Sequence, residues 1–133
     1  MRKSFLLAAL LAGAAFTAQA YEAPTVQTGR FVEGTLTNKS IPKTNGGRFT
    51  DYSVALREGH FVIITVESDD FDPEVTLIDA GGNQIGYNDD DDDSLNSLLV
   101  ARVKSSGDHI VRVGSVGSDL GKFKLRVDTL ARD

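Results

Sequence analysis

The sequence predicts an all-β protein: an antiparallel two-sheet β-sandwich, jelly-roll-like, with about eight strands. Apolar and polar residues alternate with a period of two in several segments, which indicates strands with one buried face. Turn residues recur at intervals of roughly 8–12 residues, as in small sandwiches. No segment after residue 20 shows a sustained helical period. These observations together favour two packed sheets over any helical architecture.

Each predicted strand follows from a local pattern. Tyr52 begins one alternating apolar series and Phe123 begins another, so both rings are expected in the core. The segment 61–66 (FVIITV) is apolar on both faces and rich in β-branched residues, which indicates a central strand. The other strands are predicted at 30–36, 75–78, 84–87, 99–103 and 109–113, with a hairpin turn at 80–83.

The first 20 residues have the pattern of a cleaved signal peptide. A basic start (RK at 2–3) precedes an apolar run over 5–16, and AQA at 18–20 supplies a small-x-small cleavage site. The apolar run is shorter than the roughly 20 residues that cross a bilayer. We therefore expect export to the periplasm or the medium, and no membrane insertion after cleavage.

The remaining chain, residues 21–133, is predicted to form a single β-sandwich domain with its core at about 29–128. The full chain has a net charge of −5, and loss of Arg2 and Lys3 with the signal leaves −7. This balance argues against nucleic acid as a partner. Zero cysteines exclude disulfides, thiol catalysis and cysteine-based zinc sites.

The connections between predicted strands alternate in length. Short connections at 58–59, 80–83 and 105–108 are interleaved with longer ones at 37–47, 68–73, 88–96 and 116–120. Because antiparallel strands reverse direction at every connection, the longer ones are expected at one end of the sandwich. Loops held by a rigid scaffold often carry function, so this end is the predicted recognition surface.

Aspartates concentrate in these longer connections. A run of acids counted from Asp89 has Ser94 at its sixth position and Val100 at its twelfth, which excludes an EF-hand. Gathered carboxylates still suit Ca²⁺, which takes 6–8 oxygen ligands. A solvated acidic loop that keeps the protein soluble is the alternative, and the sequence leaves both open. The candidate calcium ligands are Asp69, Asp70, Asp72, Asp89, Asp90, Asp91, Asp92 and Asp93.

Several motifs occur in a recognisable order: FTDYSVAL at 49–56, SDDFDP at 68–73, VTLID at 75–79, NDD at 88–90 and GKFKL at 121–125. In this order the chain resembles the pre-peptidase C-terminal domain found beside secreted bacterial proteases and collagenases. The resemblance covers about residues 29–127 and implies a jelly-roll sandwich without catalysis. In that family the domain is implicated in secretion, substrate binding or calcium-assisted stability.

Two features depart from the family pattern. We expect this copy to stand alone, without an accompanying peptidase, and His109 occupies the place of the usual aromatic in the penultimate strand. The family's paired aspartates correspond to Asp89 and Asp90, while the following acids look like an extension of this copy. The histidine weakens any expectation of an aromatic binding strip on the surface.

The resulting hypothesis is a non-catalytic, monomeric exported module that binds a protein or a polysaccharide, with calcium stabilisation left open. An alternative is a chaperone-like or regulatory accessory of a separately encoded secreted peptidase. A disfavoured third reading is a small hydrolase that uses Asp70 and Asp72 as a carboxylate pair. His60 and His109 are expected to be structural, because neither adjoins a nucleophile motif.

Overall fold

A computed structural model describes residues 22–44, 46–89 and 96–131. The predicted signal peptide and Asp90 to Asp93 lie outside these ranges. Nine strands occur in the described part of the chain, and all eight predicted strands are among them. They are β1 (Phe31–Leu36), β2 (Ile41–Pro42), β3 (Arg48–Leu56), β4 (Phe61–Glu67), β5 (Pro73–Ile78), β6 (Gln84–Asn88), β7 (Ser97–Arg102), β8 (Gly107–Ser115) and β9 (Gly121–Leu130).

The strands form two antiparallel sheets, which confirms the predicted fold class. The four-stranded sheet has the order β1-β9-β4-β7, and the five-stranded sheet has the order β2-β3-β8-β5-β6. The sheets approach each other where β6 meets β7. There the Ser97 hydroxyl donates a hydrogen bond to the Asn88 carbonyl (2.9 Å), and the Asn88 amide donates one to the Leu98 carbonyl (2.5 Å).

The core lies between the sheets because every second residue of each long strand points inward. Burying each of these Val, Leu, Ile or Phe side chains stabilises the fold by roughly 1.5–3 kcal/mol. Tyr52 and Phe123 meet edge to face with ring centroids 6.3 Å apart, which confirms their predicted place in the core. Gly34 of β1 lies against this pair, and a Cβ there would overlap the Phe123 ring and the Tyr52 hydroxyl.

The chain enters the core earlier than the predicted boundary at about residue 29. Val26 is buried, and its N–H donates to the Ser53 carbonyl (2.9 Å), while the Ser53 N–H donates to the Pro24 carbonyl (2.9 Å). The short strand β2 pairs only with the first two residues of β3. Residues 24–26 therefore supply partners to a part of the β3 edge that β2 does not reach. Sequence reasoning missed this segment because it lacks an alternating pattern.

Candidate functional site

The strand ends joined by the four longer connections lie at one end of the sandwich, as the alternation of strand directions predicts. We call this end, described at residues 37–44, 46–47, 68–72, 89, 96 and 116–120, the long-loop end. The Val116 N–H donates to the Asp72 carbonyl (2.9 Å), which ties the β8–β9 connection to the β4–β5 connection. The Lys43 ammonium donates to the Ser115 carbonyl (2.9 Å), which ties in the β2–β3 connection.

The β4–β5 connection is organised by one buried hydroxyl. Ser68 Oγ accepts hydrogen bonds from the N–H groups of Asp70 (3.1 Å) and Phe71 (3.2 Å), and donates one to the Lys122 carbonyl (2.8 Å). The Phe71 side chain is 2% exposed and anchors the loop in the core. The carboxylate of Asp70 accepts the Lys122 N–H (2.8 Å). This loop is therefore rigidly joined to the start of β9.

A groove of about 530 Å³ opens beside this loop on the outer face of the four-stranded sheet. Its floor is the backbone of β1 and β9, and loop residues 68–70 form one wall. Glu33 of β1 and Glu67 of β4 flank Lys124 of β9 in register, so acid, base and acid cross three neighbouring strands. The groove is lined by Glu33, Gly34, Thr35, Glu67, Ser68, Asp69, Asp70, Asn96, Lys122, Phe123 and Lys124.

The predicted calcium ligands are distributed unevenly around this end. Asp69 and Asp70 line the groove, whereas Asp72 is not among the residues that line it. Asp89 interacts with Tyr87 of β6, in the other sheet. Within residues 22–44, 46–89 and 96–131, no three His, Asp or Glu side chains are grouped so that they could hold a metal ion. Since Asp90 to Asp93 fall outside those ranges, calcium binding stays a prediction.

Both histidines lie at the opposite end of the sandwich, about one strand length from the groove. His60 precedes β4, and His109 follows the β7–β8 connection. His109 is 1% exposed, and its Nδ1 lies 2.9 Å from the Gly107 carbonyl oxygen. The hydroxyl of Ser68 is engaged with backbone groups. The described part of the groove thus offers charge and hydrogen bonds, without a histidine beside a free hydroxyl.

The outer face of the five-stranded sheet carries charged groups that are paired with one another. Arg112 donates two hydrogen bonds to the Asp51 carboxylate (2.8 and 3.0 Å) and its guanidinium lies 4.0 Å from the centre of the Phe49 ring. The hydrogen bonds that Arg112 donates to Asp51 raise the pKa of Arg112. Glu74 forms an ion pair with Lys43 and accepts a hydrogen bond from the Tyr87 hydroxyl (2.8 Å).

No family model and no curated protein matches the sequence. Solved structures do match it. The pre-peptidase C-terminal domain of a Bacillus anthracis collagenase superposes with a TM-score of 0.61 at 14% identity, over 80% of this chain and 95% of that domain. The chain has the fold of a pre-peptidase C-terminal domain. This agrees with the two-sheet β-sandwich that the sequence resemblance implied.

The same fold also matches solved structures of lysozyme inhibitors. A periplasmic inhibitor of g-type lysozyme from Aeromonas hydrophila has a TM-score of 0.62 at 14% identity, over 82% of this chain and 96% of the inhibitor. The corresponding inhibitor from Salmonella Typhimurium has a TM-score of 0.55 at 12% identity, over 82% and 99%. No helix in the described residues is long and apolar enough to cross a membrane.

Proposed function

We propose that this chain is an exported, non-catalytic module that binds a secreted or periplasmic hydrolase and restrains it. The observation that carries this proposal is the charged groove at the long-loop end, which is built on a rigid sandwich. The Ser68 hydroxyl donates to the Lys122 carbonyl and the Asp70 carboxylate accepts the Lys122 N–H, so the loop wall is held and little ordering is needed when a partner docks. Such preorganised, open and polar surfaces suit recognition of a protein surface.

The charge of the groove indicates what part of a partner it would accept. Four carboxylates, Glu33, Glu67, Asp69 and Asp70, line it together with two lysines, Lys122 and Lys124. The surplus of negative charge favours a basic side chain of the partner, and the long-range field of an acidic protein speeds the encounter with a basic one. The likeness to periplasmic lysozyme inhibitors supports a lysozyme as the hydrolase.

Export and calcium belong to the same proposal. The amino-terminal pattern supports delivery to the periplasm or the medium, where a lysozyme or a secreted peptidase would be met. Calcium at the acidic β6–β7 connection would brace the long-loop end beside the groove. The module acts as a monomer in this proposal, with one partner bound to each copy.

The proposal predicts inhibition of a g-type lysozyme in a peptidoglycan-clearing assay. The wild-type protein should reduce the rate of peptidoglycan clearing. Inhibition should approach completion at one molecule of the protein per molecule of lysozyme. The double variant Glu67→Gln/Asp69→Asn should weaken inhibition by about tenfold, since a lost charge contact costs roughly 1.4 kcal/mol. Glu58→Gln, at the opposite end of the sandwich, is the matched control and should inhibit like the wild type.

Two results would count against this assignment. Unchanged lysozyme activity at micromolar protein would exclude a g-type lysozyme as the target. Equal inhibition by the double variant would exclude the groove as the contact. The first result would favour the second candidate, a regulatory accessory of a separately encoded secreted peptidase. That candidate is supported by the likeness to the collagenase domain, and a change in the peptidase's activity on adding the protein would test it.

A further inference from the structure

The outer face of the four-stranded sheet carries an apolar patch, mainly on β4 and β7, beside the groove that lies mainly on β1 and β9. Register places Ile63 of β4 opposite Val100 of β7, and Phe61 of β4 opposite Leu130 of β9. Leu98 lies one row further along β7, opposite Thr65. We call Phe61, Ile63, Leu98, Val100 and Leu130 the apolar patch. These side chains come from three neighbouring strands and form one continuous surface.

Three large apolar side chains of the patch are strongly exposed to solvent. Leu98 is 45%, Val100 58% and Leu130 61% exposed. Their exposed area is on the order of 300 Å², which is within the range of the largest, often functional patches of monomeric proteins. A standard-size specific interface buries about 800 Å² from each partner, and an obligate homodimer buries more. The patch therefore has the size of the apolar centre of a smaller interface with a different protein.

The charges around the patch indicate the chemistry of its partner. Arg102 lies opposite Phe61, and Lys104, two residues further along the chain, is exposed. Among the described residues, neither of these two forms an ion pair. On the neighbouring strand, Arg126 and Asp128 form an ion pair, with 2.9 Å between Arg126 Nε and Asp128 Oδ2. The free charge beside the patch is thus positive, although the chain as a whole is acidic.

We propose that the apolar patch, with Arg102 and Lys104 at its border, docks a protein segment that presents apolar side chains next to Asp or Glu. Apolar contact supplies the affinity, and the two cations select carboxylates over lysine or arginine. This surface lies mainly on β4 and β7, whereas the groove lies mainly on β1 and β9, and its partner chemistry is opposite in charge. It extends the proposed function, because one module would hold two different segments.

The test uses a displayed library of random 12-residue peptides, which requires no knowledge of the natural partner. Selection on the wild-type protein should enrich peptides that combine apolar residues with Asp or Glu. Synthetic copies of these peptides should bind the variant Leu98→Ser/Val100→Ser at least about tenfold more weakly, because the apolar contact is lost. Arg102→Gln should also weaken them, and thermal unfolding should show that these exposed substitutions leave the fold intact.

The groove variant Glu67→Gln/Asp69→Asn serves as the matched control and should bind the selected peptides like the wild type. Undiminished binding to both patch variants would overturn the proposal, as would the absence of an acidic and apolar consensus. A dimer of the wild type that the Leu98→Ser/Val100→Ser change dissociates would also overturn it, since a second copy would then be the occupant. The lysozyme assay is independent, so either proposal can fail alone.

Discussion

At the scale of single residues, His109 is a buried polar side chain, and only one of its two ring nitrogens has a hydrogen-bond partner among the described residues. Its Nδ1 is within hydrogen-bonding distance of the Gly107 carbonyl, whereas its Nε2 is buried without a partner among the described residues. If Nδ1 carries the proton, it donates a hydrogen bond to the Gly107 carbonyl. The Nε2 lone pair then accepts no hydrogen bond from the described residues. An unsatisfied buried group of this kind costs about 1–3 kcal/mol.

Replacing His109 by leucine should therefore raise the free energy of unfolding. Leucine has a similar volume and no polar nitrogen, so we expect a gain of about 1 kcal/mol, reduced by any loss of packing. Urea unfolding at neutral pH would measure it. His60→Leu, at a partly exposed position, is the control and should change stability less. A clear loss of stability in His109→Leu would mean that the Nε2 atom has a partner in solution.

At the scale of elements, the hairpin between β5 and β6 depends on one carboxylate. Asp79 Oδ1 accepts hydrogen bonds from the N–H groups of Gly81 and Asn83, both at 2.9 Å. Gly82 completes the turn with a φ of +82°, a conformation that favours glycine. The bond from the Asn83 backbone is the main cause that lowers the pKa of Asp79 below its ordinary value of 3.8.

This turn predicts a specific pH dependence. Because the folded state lowers the pKa of Asp79, its ionised form stabilises the fold above the ordinary value of 3.8, and that contribution is lost as the pH falls through the lowered pKa. Asp79→Ala should thus be less stable than the wild type at pH 6, with a smaller difference at pH 3. Asp79→Asn keeps one side-chain oxygen as an acceptor. Its stability at pH 6 should therefore lie between those of Asp79→Ala and the wild type. A stability difference independent of pH would contradict this assignment.

Strands also differ in how clearly the sequence predicts them and their pairing partners. Strands β4 and β9 pair over seven residues, and each presents an unbroken alternation or a β-branched run that identifies it from sequence. The two-residue strand β2 has no such signal and was included in a connection. Its pairing with Phe49 and Arg48 depends on where the long 37–47 segment folds back. Local sequence cannot specify so short a contact.

At the scale of the whole molecule, the acidic long-loop end predicts a response to calcium. Extracellular calcium sites have dissociation constants of roughly 10⁻⁴–10⁻³ M, so millimolar calcium would stabilise the fold by about 0.4–1.4 kcal/mol. This should raise the Tm by a few degrees. Asp89→Asn/Asp90→Asn should abolish the shift, while Asp108→Asn at the opposite end should retain it. An unchanged Tm in calcium, or a shift that survives the double variant, would exclude this site.

The sequence by itself determined the all-β class, the approximate limits of eight strands, and the gathering of the longer connections at one end. These follow from rules of period two and of strand reversal, which act locally along the chain. It also placed Tyr52 and Phe123 in the interior, because each lies on the inward side of its strand. The structure confirms both.

Only the tertiary structure decided which acids share a surface. Asp69 and Asp70 border a groove on the four-stranded sheet, while Asp89 interacts with Tyr87 in the five-stranded sheet, although all three occupy the same end. It also brought Val100 beside Ile63, which are 37 positions apart by their numbers in the chain. Strand order and register are set by the sum of all core contacts between distant segments. No local pattern contains that information, because a residue's neighbours across a sheet are chosen by packing of the whole sandwich.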